Sequence, residues 1–126
     1  MKLARSLVFV SALIFVVVGA GFLLIPKQFG EVLELSLPTA MARTDVRATY
    51  GGLELGFGIF LILCVVRREW IGPGLWALSL TVGGFAIGRV VGFVAEGTIN
   101  NFMLFFLVLE LAVASVALFL LRRVRN

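Results

Sequence analysis

The sequence predicts an all-α, integral membrane four-helix bundle, and three observations carry that reading. Hydrophobic residues fill 61% of the 126 positions and charged residues only 14%, more apolar surface than a soluble domain of this length buries. The apolar residues collect in four runs of about 20, the length a helix needs to cross ~30 Å of hydrocarbon. Basic residues gather at alternate junctions between those runs, the pattern of a multi-pass chain. One domain, residues 1–126, with little mass outside the bilayer, follows.

The first span is expected over 7–25. Lys2 and Arg5 precede it, and Val18, Gly19 and Ala20 imitate a leader cleavage site. Its apolar run nevertheless exceeds the ~7–15 residues of a secretory leader's core, so the segment is read as an uncleaved span. Pro26 ends it. Between Pro26 and Pro38, Phe29, Val32, Leu33 and Leu37 recur at helical spacing, while Lys27, Gln28, Glu31 and Glu34 fall elsewhere. This predicts a short amphipathic helix in the first outer loop, lying on the membrane surface as a lid over the helix ends or as a gate.

The second span is expected over 46–66, with Thr44 or Asp45 as its N-cap. A short inner turn with Gly72, Pro73 and Gly74, flanked by Trp70 and Trp76 as interfacial anchors, leads to the third span over 75–95. A second short turn, Glu96 to Asn101, leads to the fourth over 102–121. Short turns force antiparallel neighbours.

Charge placement sets the orientation. Lys2 and Arg5, then Arg67 and Arg68, then Arg122, Arg123 and Arg125 all fall on one side of a four-span chain. The opposite loops keep Lys27, Arg43 and Arg47, offset by Glu31, Glu34 and Asp45. Both termini are therefore expected in the cytoplasm, with the chain in the inner (plasma) membrane. The net charge of +4 is read as contact with anionic lipid headgroups of the bilayer, not with nucleic acid. Histidine is absent, which removes the common ligand of haem, zinc and copper, so no metal or cofactor is expected. The single cysteine, Cys64, reads as a small packed apolar side chain.

Three charges interrupt the apolar spans: Glu54 in the second, Arg89 in the third and Glu110 in the fourth. A charge at such depth is rare without a partner or a role. At 1.5 Å per residue, Glu54 and Glu110 lie ~13 Å and Arg89 ~10 Å below the outer ends of their helices. A common depth predicts a Glu54–Arg89–Glu110 cluster. Arg47 and Tyr50 share the stripe of Glu54 at ~100° per residue, and Glu96 shares that of Arg89, opening the cluster toward the outer face. Arg47, Tyr50, Glu54, Arg89, Glu96 and Glu110 are therefore the candidate ligand-binding site or polar core. No nucleophile or cofactor motif accompanies the carboxylates, so no catalytic residue is assigned and an enzyme is the weaker reading. Gly52 and Gly56, with Gly51 and Gly58 beside them, and Gly84, Gly88 and Gly92 repeat at four-residue spacing. Such stripes are expected to pack helices, within the bundle or in a homodimer.

The segment Arg47-Ala-Thr-Tyr-Gly-Gly-Leu-Glu-Leu-Gly-Phe-Gly, then Gly88-Arg89-Val-Val-Gly and Glu110-Leu, resembles a family of small bacterial membrane proteins, DUF4345, a domain of unknown function. The resemblance implies a four-helix bundle with Arg47, Tyr50, Glu54, Arg89 and Glu110 as its polar core, and no activity. The architecture is also broadly similar to DoxX-type proteins, some of which accompany membrane oxidoreductases. Two functions remain. One is binding of a polar or anionic small molecule or lipid headgroup at the buried Glu/Arg site, with Arg47 and Arg89 attracting it. The other is a structural or accessory subunit of a larger membrane protein complex.

Overall fold

The computed structural model describes residues 1–125, Arg125 by its backbone alone, so that residue's part in the basic C-terminal cluster lies outside the described side chains. Helices α1 (Lys2–Leu24), α2 (Pro26–Val32), α3 (Ala40–Val66), α4 (Ile71–Glu96) and α5 (Asn101–Arg125) follow in order, with no strand among the described residues. Four of them, all but α2, are long and apolar enough to cross a membrane. Large apolar side chains such as Leu24, Leu53, Leu80 and Phe105 stand exposed along those four. Lipid, not water, is the solvent such surfaces suit, and the protein is a multi-pass membrane protein.

Each boundary has a local cause. Helix α1 stops before Pro26, whose ring disfavours helical backbone at Ile25. Pro26 then opens α2, where its missing N–H costs nothing. A short helix is thus present where one was expected, seven residues long and ending before Leu33 and Leu37, and its Phe29 ring lies on Gly21, where any β-carbon would collide with it. Phe29 also meets Phe22 edge-on, with ring centroids 5.4 Å apart.

Helix α3 begins earlier than expected. Thr39, in extended backbone, accepts a 3.1 Å hydrogen bond from the Ala42 N–H and is the true N-cap. Thr44 and Asp45 lie inside the helix instead; the Thr49 hydroxyl donates to the Asp45 carbonyl. Pro38, just before the cap, marks the last residue that must stay outside. Arg43 secures the connector by donating to the Leu37 and Pro38 carbonyls. Within α3, Arg47–Leu53 is π-helical, a widened turn that straddles Gly51 and Gly52.

Gly72, Pro73 and Gly74 also differ from expectation. They form the first turn of α4, where proline is tolerated, and the reversal is made by a 3₁₀ turn over Arg68–Trp70. Gly74 packs on buried Cys64, which lets α4 leave close to the end of α3. At its other end α4 is closed by Gly97 in left-handed backbone (φ 69°), whose N–H returns to the Phe93 carbonyl. Asn100 caps α5 through a 2.7 Å bond from the Met103 N–H.

The four long helices associate as two pairs. Helix α1 runs against α3 and α4 against α5, while contacts between the pairs are far sparser. The pairs join mainly at the end that carries the termini, through Ala4, Val8, Leu61, Leu75, Leu78 and Leu120. At the same end, Arg5 of α1 donates to the Val65 carbonyl of α3, a bond within the first pair. On α4 the buried positions stop at Ala86, and beyond that level the pairs separate.

The glycines divide unexpectedly. Gly19, Gly51 and Gly58 hold α1 against α3: a β-carbon on Gly58 would stand 2.8 Å from the Val16 backbone nitrogen, and one on Gly19 2.8 Å from Leu55 Cα. Gly56, Gly84, Gly88 and Gly92 have nothing within 4 Å of that position. Gly58→Val should therefore overpack the α1–α3 contact and cost about 1–3 kcal/mol. Gly88→Ala, on an open face, should be neutral or gain up to about 1 kcal/mol of helix stability. Unfolding of the two purified variants by denaturing detergent measures both, and equal losses would contradict this division.

Candidate functional site

Where the pairs separate, they enclose a cavity of about 490 Å³, within the range of small-molecule pockets. All four spans contribute to its wall, and Phe29, Val32, Leu33 and Leu35 of α2 and the loop after it close one side. The lining is apolar except for Ser11, Tyr50, Glu54, Arg89 and Glu110.

Arg89 and Glu110 form the described ion pair. The Arg89 Nε–H is shared by both carboxylate oxygens of Glu110, at 3.0 and 2.9 Å. Nη1 of Arg89 donates to Met103 Sδ at 3.1 Å, and the guanidinium lies 5.4 Å from the centroid of the Phe106 ring. Glu110 is enclosed, its side chain 8% exposed, against 25% for Arg89. Each charge is thereby compensated within its own helix pair, which an isolated charge at this depth requires.

Glu54 faces the same cavity from α3 but does not join the pair. It belongs to the other helix pair, and the cavity intervenes at this level. Among the described residues it makes no ion pair and no side-chain hydrogen bond. Tyr50, one turn earlier, lines the cavity beside Phe22, its ring centroid 5.1 Å away. The expected three-residue cluster is thus a pair and a separate carboxylate.

Arg47 and Glu96 lie outside. The stripe that joined Arg47 to Glu54 assumed ~100° per residue, but the π-helical segment bonds i to i+5 and advances less per residue. Arg47 instead donates from Nε to the Leu23 carbonyl at 3.0 Å, serving one of the orphan acceptors that end α1. Glu96 is exposed at the last position of α4, ~10 Å along the helix from Arg89.

Several cavity residues carried no charge to attract notice. Met103 and Phe106 precede Glu110 by seven and four positions and share its stripe, a spacing legible in the sequence. Ser11, Phe15, Val18 and Phe22 likewise run along one face of α1.

A family model described as a domain of unknown function, DUF4345, matches residues 3–121. The chain belongs to this family. The match reaches into all four spans and takes in every residue of the DUF4345 cavity wall. No match to a curated protein or to a solved structure was found for this DUF4345 chain.

Removing one partner of the Arg89–Glu110 pair strands a charge in the cavity wall. Glu110→Leu should cost about 3 kcal/mol of stability, whereas Arg89→Leu/Glu110→Leu together should recover most of it. A double-mutant cycle measured by detergent-induced unfolding tests this, and additive losses would mean that the two side chains act independently.

Proposed function

We propose that this DUF4345 protein binds a polar small molecule or lipid headgroup in the cavity, with an apolar body against the helix walls and a polar group at Glu54, Arg89 and Glu110. The observation that carries the reading is an apolar cavity with Glu54, Arg89 and Glu110 in its wall, Glu54 without an ion-pair partner among the described residues. Small-molecule sites combine apolar lining and a few convergent polar groups in this way. The anion attraction expected of Arg47 and Arg89 finds less support. Arg47 is engaged at the end of α1, and Arg89 is already neutralised by Glu110.

We infer an inner-membrane orientation with both termini in the cytoplasm. Lys2, Arg5, Arg67, Arg68, Arg122 and Arg123 all belong to the end of the bundle where the termini meet, which supports this by the positive-inside rule. The cavity then belongs to the outer half of the membrane.

A second reading, an accessory subunit of a larger membrane complex or a homodimer, draws on a different observation. Gly84, Gly88 and Gly92 form an open stripe on α4 that no helix of this chain covers, the kind of surface on which membrane helices meet closely.

Native mass spectrometry after gentle extraction discriminates the two. A bound small molecule in the wild type, lost in the cavity-filling variant Val18→Trp with folding retained, is the result expected of the binding reading. A stoichiometric partner protein, with no small molecule, would replace it with the second.

A further inference from the structure

The charge balance of the cavity selects among ligands, given the binding reading above, on which this inference rests. Three charged side chains line the wall, and Arg89 and Glu110 cancel each other through a shared Nε–H. Glu54 remains. The nearby cations on the same part of the fold are committed elsewhere: Arg47 to the Leu23 carbonyl, Arg43 to the Leu37 and Pro38 carbonyls. Lys27 lines a separate, smaller cleft with Glu31. The described cavity wall therefore presents one uncompensated carboxylate and no uncompensated cation.

Aromatic placement points the same way. Phe22 stacks at a tilt on Tyr50 and edge-on with Phe29, and all three line the cavity. Tyr50 lies one turn from Glu54 on α3. Aromatic faces attract ammonium groups, most strongly where water is excluded. A cavity wall that carries this carboxylate and three aromatic rings suits a cation, and repels a carboxylate, sulfate or phosphate.

We propose that the cavity takes an amphipathic amine: a protonated amino group at Glu54 and the aromatic rings, and an aliphatic body along the walls formed by residues such as Ile14, Leu78 and Leu109. The amino group donates to the Glu54 carboxylate, which makes the four-charge site neutral. It also supplies the hydrogen bonds that Glu54 lacks. An anionic ligand would add a second negative charge facing Glu54, with Arg89 already occupied.

Decylamine, decanol and decanoate test the inference, because they share a chain and differ in charge near pH 7. Each is titrated into the purified full-length protein and bound ligand is read by native mass spectrometry. Wild type is expected to hold decylamine at least about tenfold more tightly than decanoate. Glu54→Gln should lower decylamine affinity by about tenfold or more and leave decanol within about threefold. Competition then identifies the source. Displacement by phosphatidylethanolamine, but not by phosphatidylglycerol, assigns the amine to a membrane lipid, and displacement by neither assigns it to a free amphiphile. Equal binding of all three ligands, or decanoate binding best, overturns the amine inference while leaving the cavity a binding site. Binding of none overturns both. If Glu54→Gln does not fold, the wild-type ratio of decylamine to decanoate decides alone.

Discussion

Lipid gives two apolar helices no reason to prefer each other, so everything here depends on where the backbones are allowed to come close. Leucine against leucine gains little over leucine against an acyl chain. Close approach, and polar contacts that hydrocarbon cannot replace, must do the work instead. Gly19, Gly51 and Gly58 supply the first for α1 and α3. Arg89 and Glu110 supply the second for α4 and α5. Each device acts inside a helix pair. Between the pairs, contact is concentrated at the end with the termini, where small residues such as Ala4, Ala12, Gly74 and Ala117 permit dense packing. The cavity follows from this distribution. It opens where neither device bridges the pairs.

The π-helical segment links the glycine contact to the site. Gly51 is buried against Leu23 of α1, and a β-carbon there would stand 2.8 Å from Leu23 Cγ. The widened turn that contains it also rotates the preceding residues relative to those that follow. Arg47 is carried to the end of α1, while Tyr50 and Glu54 stay in the cavity wall. Had α3 remained α-helical, Arg47 would share a stripe with Glu54 and reach toward its carboxylate. The local backbone change therefore removes the cation nearest in sequence from the one cavity carboxylate that has no ion-pair partner among the described residues. π-bulges often sit at functional sites, and here the widened turn lies beside the carboxylate on which the proposed binding rests.

Most of the fold was legible in the sequence because lipid imposes strict rules. Span number followed from run length. The lid helix was legible from Phe29, Val32 and Leu33 at helical spacing after a proline. What was not legible depends on neighbours. Spacing marks Gly84, Gly88 and Gly92 as a face that permits approach, but only the topology decides whether a helix lies there, and none of this chain does. Conversely, Gly58 packs tightly on Val16, far away in the chain, and Gly74 on Cys64 across the turn between α3 and α4. The cap at Thr39 lay outside the apolar run that drew attention to Thr44 and Asp45. Common depth placed Glu54 level with Arg89, yet depth is one coordinate of three, and lateral separation of the pairs keeps them unbonded.

That lateral separation also explains how the protein tolerates an unpaired carboxylate. A closed core would force Glu54 either to find a donor or to be abandoned by the fold, since a buried charge without compensation costs several kcal/mol. A half-buried position at the edge of a 490 Å³ space imposes neither. Water or a ligand can solvate the carboxylate, and the choice between them is set by the surrounding wall. The wall is almost wholly apolar, so any water there gives up bonds it would have in bulk. A molecule that offers Glu54 a donor and the remaining wall an aliphatic surface serves both parts of the lining at once. With Glu110 holding the Nε–H of Arg89 and Met103 accepting from Nη1, the opposite wall is electrically balanced. On the proposed binding reading, selectivity resides on α3, with one carboxylate and one tyrosine beside a turn of π-helix.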